Sequence, residues 1–158
     1  MILVILLAAM PLAQAKPVNG KSYENWTVRC ETPKGGKQEQ CFIFQNLVLK
    51  EGGQRVLHMA IGYIKGRPDP VALITMPLGI SLPPGGSIVI DDDEPIRFQI
   101  ERCEPAGCRA GLALKDKLLA AFKKGIKATV TFMDATRRPI NVPLSLKGFT
   151  AGLKALKP

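Results

Sequence analysis

The sequence predicts a mainly β, sandwich-like domain with two short helices in its C-terminal half and two local disulfides. Three observations carry this reading. Short runs of alternating apolar and polar residues recur along the chain, separated by turns rich in Gly and Pro. Only two late segments space their apolar residues as a helix does. The four cysteines fall into two close pairs, Cys30 with Cys41 and Cys103 with Cys108. Many short strands with late helices indicate packed layers of sheet.

The chain opens on a leader-like segment. Ile2 to Leu12 form an apolar run, broken near its end by Met10 and Pro11. Ala13-Gln14-Ala15 follows, an A-x-A site of the kind signal peptidase reads. Cleavage is expected after Ala15, leaving residues 16–158 as a single domain. No Lys or Arg precedes the apolar run, which departs from the usual leader pattern. The rival reading, an uncleaved anchor, needs roughly 20 apolar residues. This run is shorter and ends near a proline. Export puts the cysteines in an oxidising compartment, where they serve as structural disulfides.

The first strand is Trp26 to Cys30, where Trp26, Val28 and Cys30 alternate with Thr27 and Arg29. Phe42-Ile43-Phe44 opens a second run toward Leu49, and Gly52-Gly53 makes a turn. Leu57, Met59, Ile61 and Tyr63 alternate with His58, Ala60 and Gly62. After a loop from Lys65 to Pro70, residues 71–76 form a nearly continuous apolar strand stopped by Pro77. Pro83-Pro84-Gly85-Gly86 reads as punctuation. Ser87 to Ile90 leads into Asp91-Asp92-Asp93-Glu94-Pro95, a hairpin tip.

Ile96 to Glu101 has the clearest alternation, with Ile96, Phe98 and Ile100 on one side. Leu114, Leu118, Ala121 and Phe122 fall at helical spacing, with Gly125 as the expected C-cap. Ala128, Val130 and Phe132 mark another strand, and the Arg137-Arg138-Pro139 turn leads to a last one from Ile140 to Leu144. Phe149, Leu153 and Leu156 mark the second helix.

Four cysteines allow three connectivities. The residues between them favour local pairing. Pro105 and Gly107 suit the second and fourth positions of a turn between Cys103 and Cys108. Pro33, Gly35 and Gly36 lie in a polar loop between Cys30 and Cys41. Neither pair has the C-x-x-C spacing of a redox dithiol. The one histidine, His58, is distant in sequence from both pairs, so no zinc site is expected.

In order along the chain stand Trp26-Thr27-Val28-Arg29-Cys30, Cys41 with Phe42 to Gln45, and Met76-Pro77-Leu78-Gly79-Ile80-Ser81-Leu82. They are followed by Cys103-Glu104-Pro105-Ala106-Gly107-Cys108 and Pro143-Leu144-Ser145-Leu146-Lys147-Gly148-Phe149. Each motif is short, and the ordered set resembles the invasion-associated locus B family of exported bacterial proteins from about Tyr23 to Leu156. The resemblance implies a periplasmic or envelope-associated β-sandwich with two local disulfides. It also implies a link to host-cell entry in pathogens, though many members occur in bacteria that invade nothing. It carries no catalytic residues to this chain.

The charge is the main functional clue. Lys and Arg total 22 against 13 Asp and Glu, a net charge of +9. This favours acidic partners such as lipid headgroups or acidic glycans. The helical lysines Lys115, Lys117, Lys123, Lys124 and Lys127, with Lys147, Lys154 and Lys157, form a candidate basic surface if the two helices lie side by side. No nucleic acid is expected, because export removes it and no aromatic platform interleaves the lysines.

Asp91 to Glu94 lack the spacing of a calcium loop and read as a solvated tip, free to pair with the domain's own lysines. His58 lies opposite the apolar face of its strand, and none of Ser22, Ser81, Ser87 or Ser145 sits in a nucleophile elbow. A catalytic role resting on His58 or Glu101 ranks third. The leading expectation is a non-enzymatic exported protein, without cofactor or metal, that binds a protein or an anionic envelope or cell-surface component. The alternative is a periplasmic accessory or chaperone-like factor that accepts a partner strand at a sheet edge.

Overall fold

Period-two patterning sorts the chain into two antiparallel sheets that pack face to face. The computed structural model describes residues 16–157. The expected leader and its cleavage site lie outside the described residues. Sheet one contains β1 (Ser22–Tyr23), β2 (Trp26–Glu31), β3 (Gln40–Val48), β4 (Arg55–Tyr63) and β5 (Pro70–Met76). Sheet two contains β6 (Ile80–Ile90) and β7 (Ile96–Phe98). The chain then returns to sheet one with β8 (Arg102–Glu104) and β9 (Gly107–Ala113). After helix α1 (Asp116–Lys124), β10 (Lys127–Asp134) and β11 (Pro139–Ser145) complete sheet two, and α2 (Phe149–Ala155) follows. The orders are β1-β2-β3-β4-β5-β9-β8 and β11-β10-β6-β7.

Alternation places one face of each strand in the core. In β4, Leu57, Met59 and Ile61 are fully buried, while His58, Ala60 and Gly62 on the other face are partly exposed. Ala128, Val130 and Phe132 of β10 meet them from sheet two. Sheet one has seven strands and sheet two four, so part of sheet one's inner face has no strand opposite it. The helices cover that part. The Phe149 ring stands edge-on to Trp26 at 5.6 Å and 5.3 Å from Phe122. Gly152 brings the α2 backbone onto β3, where an added Cβ would lie 3.1 Å from the Ile43 methyl.

Both cysteine pairs bond locally, Cys30 to Cys41 and Cys103 to Cys108. Each joins directly opposed residues of adjacent strands. The Cys30 N–H turns away from β3 and donates to Asn19 Oδ1, so the first bridge sits at a non-hydrogen-bonded pair, where strands approach closest.

Two sequence expectations change, a third is met in a different backbone conformation, and two strands come without a sequence expectation. The strand from Ile96 to Glu101 pairs in sheet two only as far as Phe98. Beyond it the Glu101 N–H donates to the Arg109 carbonyl, so one extended segment crosses between the sheets. Ile100 stays buried, which preserves the alternation while the pairing partner changes. Pro83 to Gly86 do not end a strand. They lie inside β6 as a bulge, where the register against β10 jumps from Gly86↔Phe132 to Ser81↔Met133. Gly125 stops α1 but in an extended conformation, φ −68°, and not as a left-handed cap. Finally, β1 and β9 give no clear strand signal in the sequence.

Candidate binding surfaces

The helices do pack on one another, and the Thr150 hydroxyl donates to the Lys123 carbonyl at the end of α1. Lys154 is one turn beyond Thr150 on the same side of α2. The Leu146 N–H donates to the Ile126 carbonyl, and Lys127 pairs in register with Ser145. These contacts bring together the segments that carry Lys123, Lys124, Lys127, Lys147 and Lys154. All are exposed, and none enters an ion pair among the described residues. Ile126 stands among them with 65% of its surface exposed.

The other three helical lysines lie apart. Lys115 precedes α1, and Lys117 lines a hollow with Asp93 and Glu94. Lys157 holds its ammonium 5.1 Å from the Tyr63 ring centroid, a cation–π contact at the far end of α2.

The acidic tip is partly structural. Asp91 turns its carboxylate onto the Ile126 and Lys127 N–H groups, at 3.0 to 3.2 Å, and fixes the start of β10. Among the described residues, Cys30, Cys41 and Glu39 are the group whose ligand atoms lie close enough for a metal, but both sulfurs are consumed in the disulfide.

His58 lies on the outer face of sheet one, in the row Asn46, His58, Thr75, Arg109, Arg102. Its Nδ1 is 2.7 Å from Asn46 Oδ1. Burial first, then the charges of Arg55, Arg29 and Arg109, push its pKa below 6.5. Glu104, at the end of this row, is held below its ordinary range by the Arg102 hydrogen bond and the Arg109 charge. No serine or carboxylate hydrogen-bonds to His58 among the described residues, so the parts of a relay do not meet there.

A different device shapes the Arg137-Arg138-Pro139 turn. Asp134 accepts the Arg138 and Thr136 N–H groups and the Thr136 hydroxyl, which lowers its pKa to about 2.

The sheet edges are protected. β1 has two residues, and β7 and β8 have three each. β11 is longer, but Leu146 donates toward β10, so the odd-numbered residues of β11 face the open edge. Two of these are Pro139 and Pro143, which have no N–H to offer a partner strand.

The sequence reading missed a basic groove built by three separated segments. Lys16 and Pro17, Gln38 to Cys41, and Tyr63 to Arg67 line it, with Leu156 from the end of α2. Its volume is about 760 Å³, against about 400 Å³ for the hollow beside the Cys103–Cys108 hairpin. The available signal was Lys65-Gly66-Arg67, a charged turn between two strands.

The family of Invasion associated locus B (IalB) proteins matches residues 26–157. Two invasion protein B homologues of Brucella abortus, from strain 2308 and from biovar 1 strain 9-941, are each 34% identical over 140 residues. Those matches cover 87% of this chain and 78% of each relative. The crystal structure of invasion associated protein B from Bartonella henselae shares the fold, with a TM-score of 0.74 and 24% identity over 86% of this chain and 94% of that one. Ordered motifs, two bridged cysteine pairs and these matches agree: the chain belongs to the invasion-associated locus B family.

Proposed function

We propose that this protein is a non-enzymatic, exported binder of an anionic surface, with the lysines around Ile126 as its contact. The observation that carries this reading is one exposed apolar side chain flanked by lysines that enter no ion pair among the described residues. Such a pairing suits the boundary of an anionic membrane, where the apolar group enters and the lysines neutralise headgroups. The protein would work in the periplasm, at the envelope, or after secretion. Among the described residues no helix is long and apolar enough to cross a membrane.

Flotation with vesicles tests the proposal. Phosphatidylglycerol vesicles should carry the protein up the gradient at low salt and release it at high salt. Phosphatidylcholine vesicles should not carry it. Replacing Lys123, Lys124, Lys127 and Lys147 by Glu should abolish flotation, and Ile126→Ser should weaken it. Binding that ignores salt and these charge reversals would overturn the reading.

The second reading, an accessory factor for other envelope proteins, has one supporting observation. The outer face of sheet one carries Phe42 and Phe44 on β3 and Val71 and a partly exposed Leu73 on β5, with only Ala60 and Gly62 of β4 between them. A protein partner would cover that face. Strand addition is a poor mode for it, given the short or proline-bearing edges. Recovery of one envelope protein by the wild type and not by Phe44→Lys would favour this reading.

A further inference from the structure

The groove between the β2–β3 loop, the β4–β5 loop and the end of α2 has the chemistry of a site for an acidic sugar. Three exposed cations line it, Lys16, Lys65 and Arg67, against one carboxylate, Glu39. None of these cations enters an ion pair among the described residues. Lys157 adds a fourth positive charge at the rim, held over the Tyr63 ring. Among the described residues the cations outnumber the one carboxylate, so an anion entering the groove breaks no ion pair there.

The strands and the turn around the groove are tied in place by the protein's own contacts. Cys41 is bonded to Cys30, and Phe42 pairs with Gly62, so the β3 and β4 walls hold a set spacing. Gly66, at φ +82°, turns the β4–β5 loop, and the Arg67 N–H closes that turn on the Ile64 carbonyl at 3.0 Å. The chain that follows the N-terminal wall is tied to β2 by the Gly20 N–H on the Val28 carbonyl and by the Cys30 N–H on Asn19 Oδ1. A preformed site spends less binding free energy on ordering its own loops.

The remaining lining selects among anions. Gln38 and Gln40 supply amides that both donate and accept, as sugar hydroxyls require. Ile64, 46% exposed on one wall, offers apolar contact to the C–H face of a ring. The Arg67 guanidinium can grip a carboxylate or phosphate through two parallel bonds. Tyr63 is the one aromatic in the lining, and its ring already carries Lys157, so the groove has no platform for nucleobases. We propose that this groove binds an acidic oligosaccharide, one bearing carboxylate or phosphate on a hydroxylated ring. It is separate from the Ile126 patch, and it stands or falls independently of membrane binding.

Amide chemical shifts of the purified protein test it, with 3′-sialyllactose, lactose and inorganic phosphate as probes. Sialyllactose should move the resonances of residues 38–41 and 63–67 saturably, and lactose should not. Lys65→Glu combined with Arg67→Glu should weaken binding about tenfold or more, since it replaces two charge-assisted contacts by repulsion. Its spectrum away from the groove should stay unchanged, which shows that the fold is intact. An equal response to phosphate alone would reduce the groove to a simple anion site and overturn the proposal. So would an equal response to lactose, shifts confined to the Ile126 patch, or no shift at all.

Discussion

The side-chain amide of Gln45 donates to the Ser145 carbonyl at 2.6 Å and so ties the two sheets together across the core. Gln45 lies on the inner face of β3, only 9% exposed, among otherwise apolar neighbours. Ser145 ends the open edge strand of sheet two, with its carbonyl turned away from β10. Each group solves the other's problem: a buried amide needs a partner, and so does an edge carbonyl that water reaches poorly. Gln45→Leu leaves the carbonyl alone against an apolar side chain. The expected loss is about 1–3 kcal/mol, read as a lower urea midpoint with an unchanged slope. An unchanged midpoint would mean that water replaces the amide and that the bond adds no stability.

The two disulfides should differ in worth. The Cys30–Cys41 bridge spans 11 residues of sequence and the Cys103–Cys108 bridge spans 5. Loop-closure entropy then assigns roughly 3 kcal/mol to the first and roughly 2 kcal/mol to the second. Replacing each pair by serines should lower the urea midpoint in that order. The reverse order would show that the Cys103–Cys108 bridge acts mainly in the native state, by holding the hairpin at the edge of sheet one.

Gly125 is required for space rather than for backbone freedom. Its φ of −68° is open to any residue. An added Cβ, however, would stand 2.6 Å from the Ile90 methyl, 2.9 Å from the Ala121 carbonyl and 2.9 Å from Leu146. Gly125→Ala should therefore destabilise by about 1–3 kcal/mol, as overpacking does. Shaving the obstacle with Ile90→Val should restore part of the loss. A neutral Gly125→Ala would show that α1 shifts freely on β6.

Gly125 also shows what the sequence could and could not tell. It marks the right place to end a helix, but the space there is closed by Ile90 and Leu146 from distant segments as well as by the helix's own Ala121 carbonyl, and no local pattern records the first two. The same holds for Ile96 to Glu101. Periodicity reports which side chains are buried, and that survives, but it does not report which strand is the neighbour. β9 was silent because Gly107, Gly111 and two alanines give it little intrinsic strand character; its neighbours β5 and β8 impose the conformation. The cysteine pairing was legible because turn residues lie between the partners. That α1 and α2 touch was a condition the lysine spacing posed, and the Thr150 hydroxyl on the Lys123 carbonyl meets it. The acidic-sugar groove was not legible, since register and a disulfide assemble it from segments far apart in sequence.

His58 should make the fold sensitive to mild acid. The ring is half-buried against Phe44, with centroids 5.6 Å apart, and Asn46 occupies Nδ1. Burial first, then the positive charges of Arg55, Arg29 and Arg109, disfavour the imidazolium, with only Glu31 opposing them. The folded state thus binds the proton less readily than the unfolded chain, whose histidine titrates near 6.5. Stability from this group is fully present above pH 6.5. It declines as the pH falls from there toward the lowered folded pKa, because the unfolded chain takes up the proton first. Two measurements check this. The imidazole resonances of the native protein should titrate with a midpoint below 6.5. His58→Gln keeps a polar partner for Asn46 and should flatten the fall in urea midpoint between about pH 7 and pH 5. A native midpoint at or above 6.5 would place a solvated ring on this face and remove the predicted acid sensitivity.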